Sequence, residues 1–233
     1  MNTDSIQLLL VAGGLGTRLG TDQPKALIPI GGVPMFIQAL NPFSQLGLIS
    51  DAIVAAPKSH IDAFQKLIEK EHANESIEVI SGGKERQDSV KAGLAGLSSS
   101  TEIVVIHDAA RPFIGKEIIL KALEAAEKCG AATVAIPCTD TILVSQKETW
   151  LDHTPDRKNL WACQTPQVFR VSVIQEAFQN ASKEDFLGTD DASLVRRAGG
   201  QVQLIEGSPT NIKITTPEDL DYAEYLLKKE LVS

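Results

Sequence analysis

The apolar segment LLLV (residues 8–11) runs directly into AGGLGTRLGTDQPKAL, so a glycine-rich loop is followed closely by two cations. Gly13, Gly14 and Gly16 let the backbone turn sharply and bring N–H groups near anionic oxygens. Arg18 stands two residues beyond the last of these glycines, and Lys25 follows Pro24. Two cations beside such a cradle suit phosphoryl chemistry, where stabilising the developing negative charge does most of the work. The spacing fits neither the Walker A pattern nor a full GxGxxG. By itself the loop also reads as a tight turn or a piece of another nucleotide fold, and a lone Arg or Lys as a solvated charge.

Asp108 closes the strand-like run VIHD at the edge where open α/β sheets bind ligands. A carboxylate there suits Mg²⁺, which prefers one or two carboxylates together with substrate phosphates. A helix cap is the alternative. Arg111, three residues on, is suited to an anionic group. His107 reads as a packed or hydrogen-bonded histidine, because no second metal-type ligand stands at a useful spacing. Gly82 and Gly83, with Arg86 and Ser89, form a second turn before a helix, in which Ser89 reads equally as the capping residue.

Strands are expected at Ile6–Ala12, Ala52–Ala56, Ile77–Ile80, Ile103–His107 and Thr133–Ile136 to position these residues. Helices are expected between them, near Met35–Leu46, Ile61–Glu71, Ser89–Leu97 and Lys116–Lys128. Val90, Leu94 and Leu97 recur at i, i+4 and i+7, as a helix laid on a sheet requires. The alternation implies βαβ crossovers and a mostly parallel sheet with helices on both faces. A last helix begins legibly, with Thr216 as cap, Pro217 in the first turn, and Glu218 and Asp219 at the positive end of its dipole. Residues 137–160 break the rhythm and read as a hairpin, either an ordinary surface excursion or an arm that embraces a second subunit. With no repeat or linker to divide it, the chain reads as one domain, 1–233.

Hydrophobic residues make up 43% of the chain and charged ones 22%, enough for a full core and a polar surface. A net charge of −8 argues against a nucleic-acid partner, which needs a basic footprint, so an anionic substrate must be met by a local cluster of cations. The three cysteines, Cys129, Cys138 and Cys163, lack CxxC spacing and read as reduced thiols. The first apolar run is too short for a signal core or a membrane span and has no basic residues before it. A cytoplasmic protein without membrane attachment is the expectation.

The loop pattern GG-x-G-x-R-x-G followed by PK resembles the signature of nucleotidyltransferases that make sugar- and polyol-nucleotides. GGKERQDSVKAGL (82–94), VIHDAARP (105–112), DTI (140–142), HTPDRKNLWACQTPQVF (153–169), TDDASLV (189–195) and NIKITTPEDL (211–220) narrow it. With them the chain resembles, over nearly its whole length, the 2-C-methyl-D-erythritol 4-phosphate cytidylyltransferases of the non-mevalonate isoprenoid pathway. The resemblance implies a Rossmann-like sheet of the nucleotide-diphospho-sugar transferase type with a projecting β-arm at 137–160, and a homodimer formed through that arm. It implies CTP, Mg²⁺ and a polyol phosphate as the molecules bound. Arg18, Lys25 and Lys213 would be the catalytic cations, with Mg²⁺ on Asp108. Ala12, Gly13, Gly14 and Gly16 would wrap the triphosphate, and Gly82, Gly83, Arg86, Ser89, Asp108 and Ala109 would complete the CTP site. Arg111, Thr141, Arg157, Thr165 and Thr189 would take the methylerythritol phosphate. Two positions depart from the family's habit: Ala26 stands where glutamine is usual, and Leu143 where lysine is frequent. Both remove polar contacts without touching the catalytic cations. The rival readings are a ribitol-5-phosphate cytidylyltransferase, a sugar-1-phosphate nucleotidyltransferase (KALIPIGGVP fits one) and a non-catalytic nucleotide-sensing module.

Overall fold

A computed structural model describes residues 5–14, 16, 19–20, 23–47 and 51–232. The first strand, β1 (Ile6–Val11), is buried along almost its whole length, as a central parallel strand must be. A short ribbon follows, β2 (Pro29–Ile30) and β3 (Val33–Pro34), and then α1 (Met35–Ser44). The next units are β4 (Asp51–Ala56), α2 (Ile61–Glu71), β5 (Ser76–Ser81), α3 (Arg86–Ala95), β6 (Ile103–Asp108), α4 (Lys116–Cys129) and β7 (Ala131–Pro137). A separate hairpin, β8 (Val144–Lys147) and β9 (Trp150–His153), precedes the long β10 (Trp161–Arg170). The chain closes with α5 (Val171–Lys183), α6 (Asp191–Arg197), β11 (Gln203–Glu206) and α7 (Pro217–Lys228).

Seven strands form one sheet in the order β11-β7-β10-β6-β1-β4-β5. The described ladders are parallel except where β10 runs antiparallel between β6 and β7. Period-two alternation divides the side chains between two faces. Leu8 and Leu10 of β1 join Val54 and Val105 in a core under α1, α2 and α4. Leu9 turns the other way, with Ile53, Val104 and Ile106, to pack under α3, α5 and α6. Val90 and Leu94 lie in that second core, with Leu97 packed against it, as the helical spacing requires. At Gly93 the helix comes so close to the sheet that a Cβ would overlap the Leu9 side chain. A smaller cluster, including Met35, Phe113, Ile214 and Leu226, seats α7 beside the β2–β3 ribbon.

The expected strands and helices are present, mostly with slightly longer bounds. The observed sheet adds β10 and β11, and α5 and α6 cover part of its second face. Thr216 caps α7 as expected, and its N3 partner is Asp219: each side chain accepts from the other residue's backbone N–H. Residues 137–160 do contain a hairpin, with its own two-stranded ladder and all the residues of β9 exposed. Trp150 is 76% exposed, Leu143 63% and Leu151 60%, an apolar surface left open by the described residues. Among the described residues no helix is long and apolar enough to cross a membrane.

Candidate active site

The carboxyl ends of β1 and β6 lie side by side, with Val11 paired to Asp108, and both strands open there into tight loops. Together they bound a cleft of about 240 Å³. Ala12, Gly13 and Gly14 after β1 line it together with Gly83, Arg86 and Ser89 and with Asp108 and Ala109 at the end of β6. Lys25 and Lys213 reach in from loops remote from each other in sequence. Lys84 and Glu85 also line it, so among the described residues four cations face two carboxylates inside a chain of net charge −8. The local cluster demanded by the composition is therefore present. Arg18 lies outside the described residues.

Local geometry explains why Lys25 is in the cleft. A short 3-10 turn, Lys25–Leu27, follows Pro24, and the Lys25 N–H donates to the Gly14 carbonyl at 3.2 Å. Gly16 has φ +74°, and a Cβ there would come within 3.1 Å of the Lys25 nitrogen. Only glycine lets the loop fold back this tightly. Lys25 Nζ then donates to the Ile214 carbonyl at 2.9 Å, which ties the glycine loop to the segment bearing Lys213. That segment is anchored twice more. Ile214 N donates to Ala110 O, and the Asp219 carboxylate accepts from Thr215 N, Thr215 Oγ1 and Thr216 N.

Asp108 is 6% exposed and sits between two cations. Arg86 Nε donates to one oxygen at 3.0 Å, and Lys213 Nζ meets the other at 2.7 Å. Arg86 Nη1 continues to Asp191 at 2.8 Å, giving a row of alternating charges, Lys213–Asp108–Arg86–Asp191. Burial favours a neutral Asp108, but Arg86 and Lys213 outweigh it and hold the carboxyl well below the usual range. Asp108 is not a helix cap, since β6 ends on it and α4 starts only at Lys116.

Ser89 is not a cap either. Glu85 caps α3, in a capping box with Asp88. The Ser89 hydroxyl instead accepts from Gly83 N at 3.0 Å and donates to Glu85 O at 3.2 Å, fixing the Gly82–Gly83 turn. Gly82 is not among the lining residues, and a Cβ there would press on Ser89 Oγ at 3.0 Å.

The residues expected to take the second substrate are more scattered. Thr165 is 5% exposed, and its hydroxyl is engaged inside the protein. It accepts from Asp108 N at 3.1 Å and lies 2.9 Å from His107 Nδ1. His107 Nε2 lies 2.9 Å from the Arg111 carbonyl, which can only accept, so Nε2 carries the hydrogen and Thr165 donates to Nδ1. His107 is thus a hydrogen-bonded core residue, as the sequence suggested. Arg111 donates to the carbonyls of Asn211 (2.7 Å) and Cys163 (3.1 Å), bracing the loop after β6 against β10. Thr141, Arg157 and Thr189 are exposed and do not line the cleft. Arg157 Nη1 donates to Thr139 O at 2.6 Å.

Sequence reasoning passed over three buried residues that support the site: Gln167, Asp191 and Asn211. The motif TDDASLV contained Asp191, but only burial distinguishes it from a solvated carboxylate at the start of a helix.

The profile of the family described as 2-C-methyl-D-erythritol 4-phosphate cytidylyltransferase matches residues 6–229. A relative of that name from Syntrophus aciditrophicus is 43% identical over 223 residues, covering 95% of this chain and 95% of the relative. One from Caldanaerobacter subterraneus is 42% identical, covering 97% and 100% respectively. Among solved structures, 4-diphosphocytidyl-2C-methyl-D-erythritol synthase from Anaerococcus prevotii superposes with a TM-score of 0.85 at 29% identity, covering 96% of this chain and 98% of its own. The Thermus thermophilus 2-C-methyl-D-erythritol 4-phosphate cytidylyltransferase gives 0.79 at 31% identity, covering 96% and 99%.

Proposed function

This chain belongs to the 2-C-methyl-D-erythritol 4-phosphate cytidylyltransferase family, and from that premise we propose how its cleft performs the reaction. The enzyme joins CTP to 2-C-methyl-D-erythritol 4-phosphate, giving the 4-diphosphocytidyl alcohol and pyrophosphate in isoprenoid precursor synthesis. The observation that carries the mechanism is the meeting of Lys25, Lys213, Arg86 and Asp108 at the glycine-lined ends of β1 and β6. Ala12, Gly13 and Gly14 offer backbone to the triphosphate, with Gly16 shaping the loop and Arg18 adding its charge. Gly83, Arg86, Ser89, Asp108 and Ala109 line the cleft for the nucleoside, and Gly82 supports Ser89 from outside it.

The phosphate monoester attacks the α-phosphorus of CTP in line, one P–O bond forms, and the bond to pyrophosphate breaks. A monoester has a second pKa of about 6, so at neutral pH the nucleophile is already largely ionised and needs no general base. His107, fully buried and hydrogen-bonded, supplies none. The barrier is the approach of two anions, and Arg18, Lys25 and Lys213 offset that repulsion and the charge gathering on the leaving oxygen. Lys213, with its side chain 42% exposed, can share its charge between Asp108 and an incoming phosphate.

The donors fit Mg²⁺ in one form, an ion arriving with the triphosphate and held by Asp108, whose carboxyl stays ionised. Among the described residues no group of three or more His, Cys, Asp or Glu stands ready to hold a metal alone. Bound there, Mg²⁺ would neutralise charge on the phosphate oxygens. Arg111, Thr165 and Thr189 belong to the polyol phosphate side, where Arg111 and Thr165 act by bracing the loop after β6.

The exposed Trp150, Leu143 and Leu151 support a homodimer through the arm. Thr141 and Arg157, outside their own chain's cleft, would then be available to a second copy. Sedimentation should give about twice the 25.0 kDa chain mass, and a concentration-independent monomer would remove this part of the proposal. A cytoplasmic site of action belongs to the same reading, supported by three free thiols. Substrate choice is tested by pyrophosphate release from CTP with methylerythritol phosphate, ribitol 5-phosphate and a hexose 1-phosphate in parallel. Methylerythritol phosphate should be preferred by at least about tenfold in kcat/KM, a difference of about 1.4 kcal/mol. Preference for either competitor would displace this assignment.

A further inference from the structure

Asp191 lies at the start of α6, 1% exposed, with its carboxylate on Arg86 Nη1 at 2.8 Å. Its place is set from two sides. The Gln167 carboxamide oxygen accepts from Asp191 N (2.9 Å) and Ala192 N (3.2 Å), while its nitrogen donates to Asp190 Oδ2 at 2.8 Å. Gln87, next to Arg86 on α3, donates to Phe186 O and accepts from Gly188 N, joining α3 to the loop before α6. The first turn of α3 and the start of α6 are thereby held as one unit.

A buried ion pair is weak evidence of stabilisation, because a well-packed apolar pair of similar volume is commonly as stable. Stability alone therefore does not explain the pair, and the geometry supplies another reason. Arg86 is a long, flexible side chain with 24% of its surface exposed, and its Nε must meet Asp108 while its terminal nitrogens point elsewhere. Without a second anion, its guanidinium would be free to swing out into the cleft or to chelate Asp108 through two nitrogens. Either change would alter the carboxylate that the reaction uses.

We propose that Asp191 is a positioning residue, which acts through Arg86 to present Asp108 to the nucleotide and its metal. It touches no substrate, and Gln167 holds it in place. The inference rests on the proposed use of Arg86 and Asp108 in the CTP site.

A double-mutant cycle tests it, using Asp191→Asn, Arg86→Gln and the pair, with kcat/KM for CTP and thermal unfolding measured on each full-length protein. Asp191→Asn should lower kcat/KM about 10- to 100-fold, carried mainly by KM for CTP, with KM for the polyol phosphate changed by less than about threefold. On the Arg86→Gln background the same substitution should cost less than about threefold, since its target is already gone. Should Asp191→Asn fold poorly alone, Asp191→Glu takes its place in the cycle, keeping the charge but shifting where it stands. Additive losses in folded proteins would overturn the role of Asp191 alone. Wild-type activity in Arg86→Gln would overturn both that role and the reading of Arg86.

Discussion

Lys25→Gln should lower turnover by about 10²–10³-fold, the usual loss when a prearranged electrostatic contact is removed from a reacting centre. The position of Lys25 is set at several points by the fold. Its N–H is held by Gly14, its loop closes over Gly16, and its Nζ is directed by the Ile214 carbonyl. The bond from Lys25 to Ile214 O links two loops, so its loss also costs some stability. Glutamine keeps a donor but loses the charge, so unfolding stability should fall by no more than about 2 kcal/mol. Pyrophosphate release and urea unfolding, measured side by side, separate the effects. A folded Lys25→Gln protein with normal turnover would end the assignment of Lys25 to the chemistry.

The same residue shows what the sequence could and could not reveal. Glycines beside cations announced a phosphate site, and apolar runs announced the central strands, because both signals are local. Lys25 and Ile214 are 189 residues apart, and no local pattern brings them together. Only the likeness of NIKITTPEDL to a known family pointed to Lys213. Strand β10 was missed for a different reason. It buries Gln164, Thr165 and Gln167 and contains Pro166, so it shows neither alternation nor an apolar run. Proline is tolerated there because the register with β7 shifts between Cys163 and Gln167. Those buried polar groups are the support of the site, engaged by Asn211, Asp108 and the start of α6. Helix α5 was more legible than the sequence reading allowed, since Ile174, Ala177, Phe178 and Ala181 share one face.

A second large effect is expected from pH acting on His107. Its ring is fully buried beneath Phe43, at 5.1 Å between centroids, and both nitrogens are in hydrogen bonds. Burial is the main cause that drives its pKa from 6.5 down to about 4. The Arg111 carbonyl and Asp108 oppose it less strongly, and the charges of Arg111 and Arg86 add still smaller effects in the direction of burial. The unfolded chain takes up this proton as pH falls through 6.5, whereas the folded chain resists until about 4. Between those values the unfolded state binds more protons, so stability must fall with pH. At pH 4.5 the loss relative to pH 7 should be roughly 2–3 kcal/mol from this one group. His107→Gln keeps a donor for the Arg111 carbonyl but cannot titrate. It should be less stable than the parent at pH 7 yet lack this part of the acid loss. Urea unfolding of both proteins, free of nucleotide and metal, measures the difference directly. Equal pH dependence in the two would mean that His107 is not the group whose protonation loosens the turn between β6 and Arg111. If the difference is found, the same hydrogen bonds that align Asp108 for phosphoryl transfer set the acid limit of the fold, because Thr165 serves both residues through one hydroxyl.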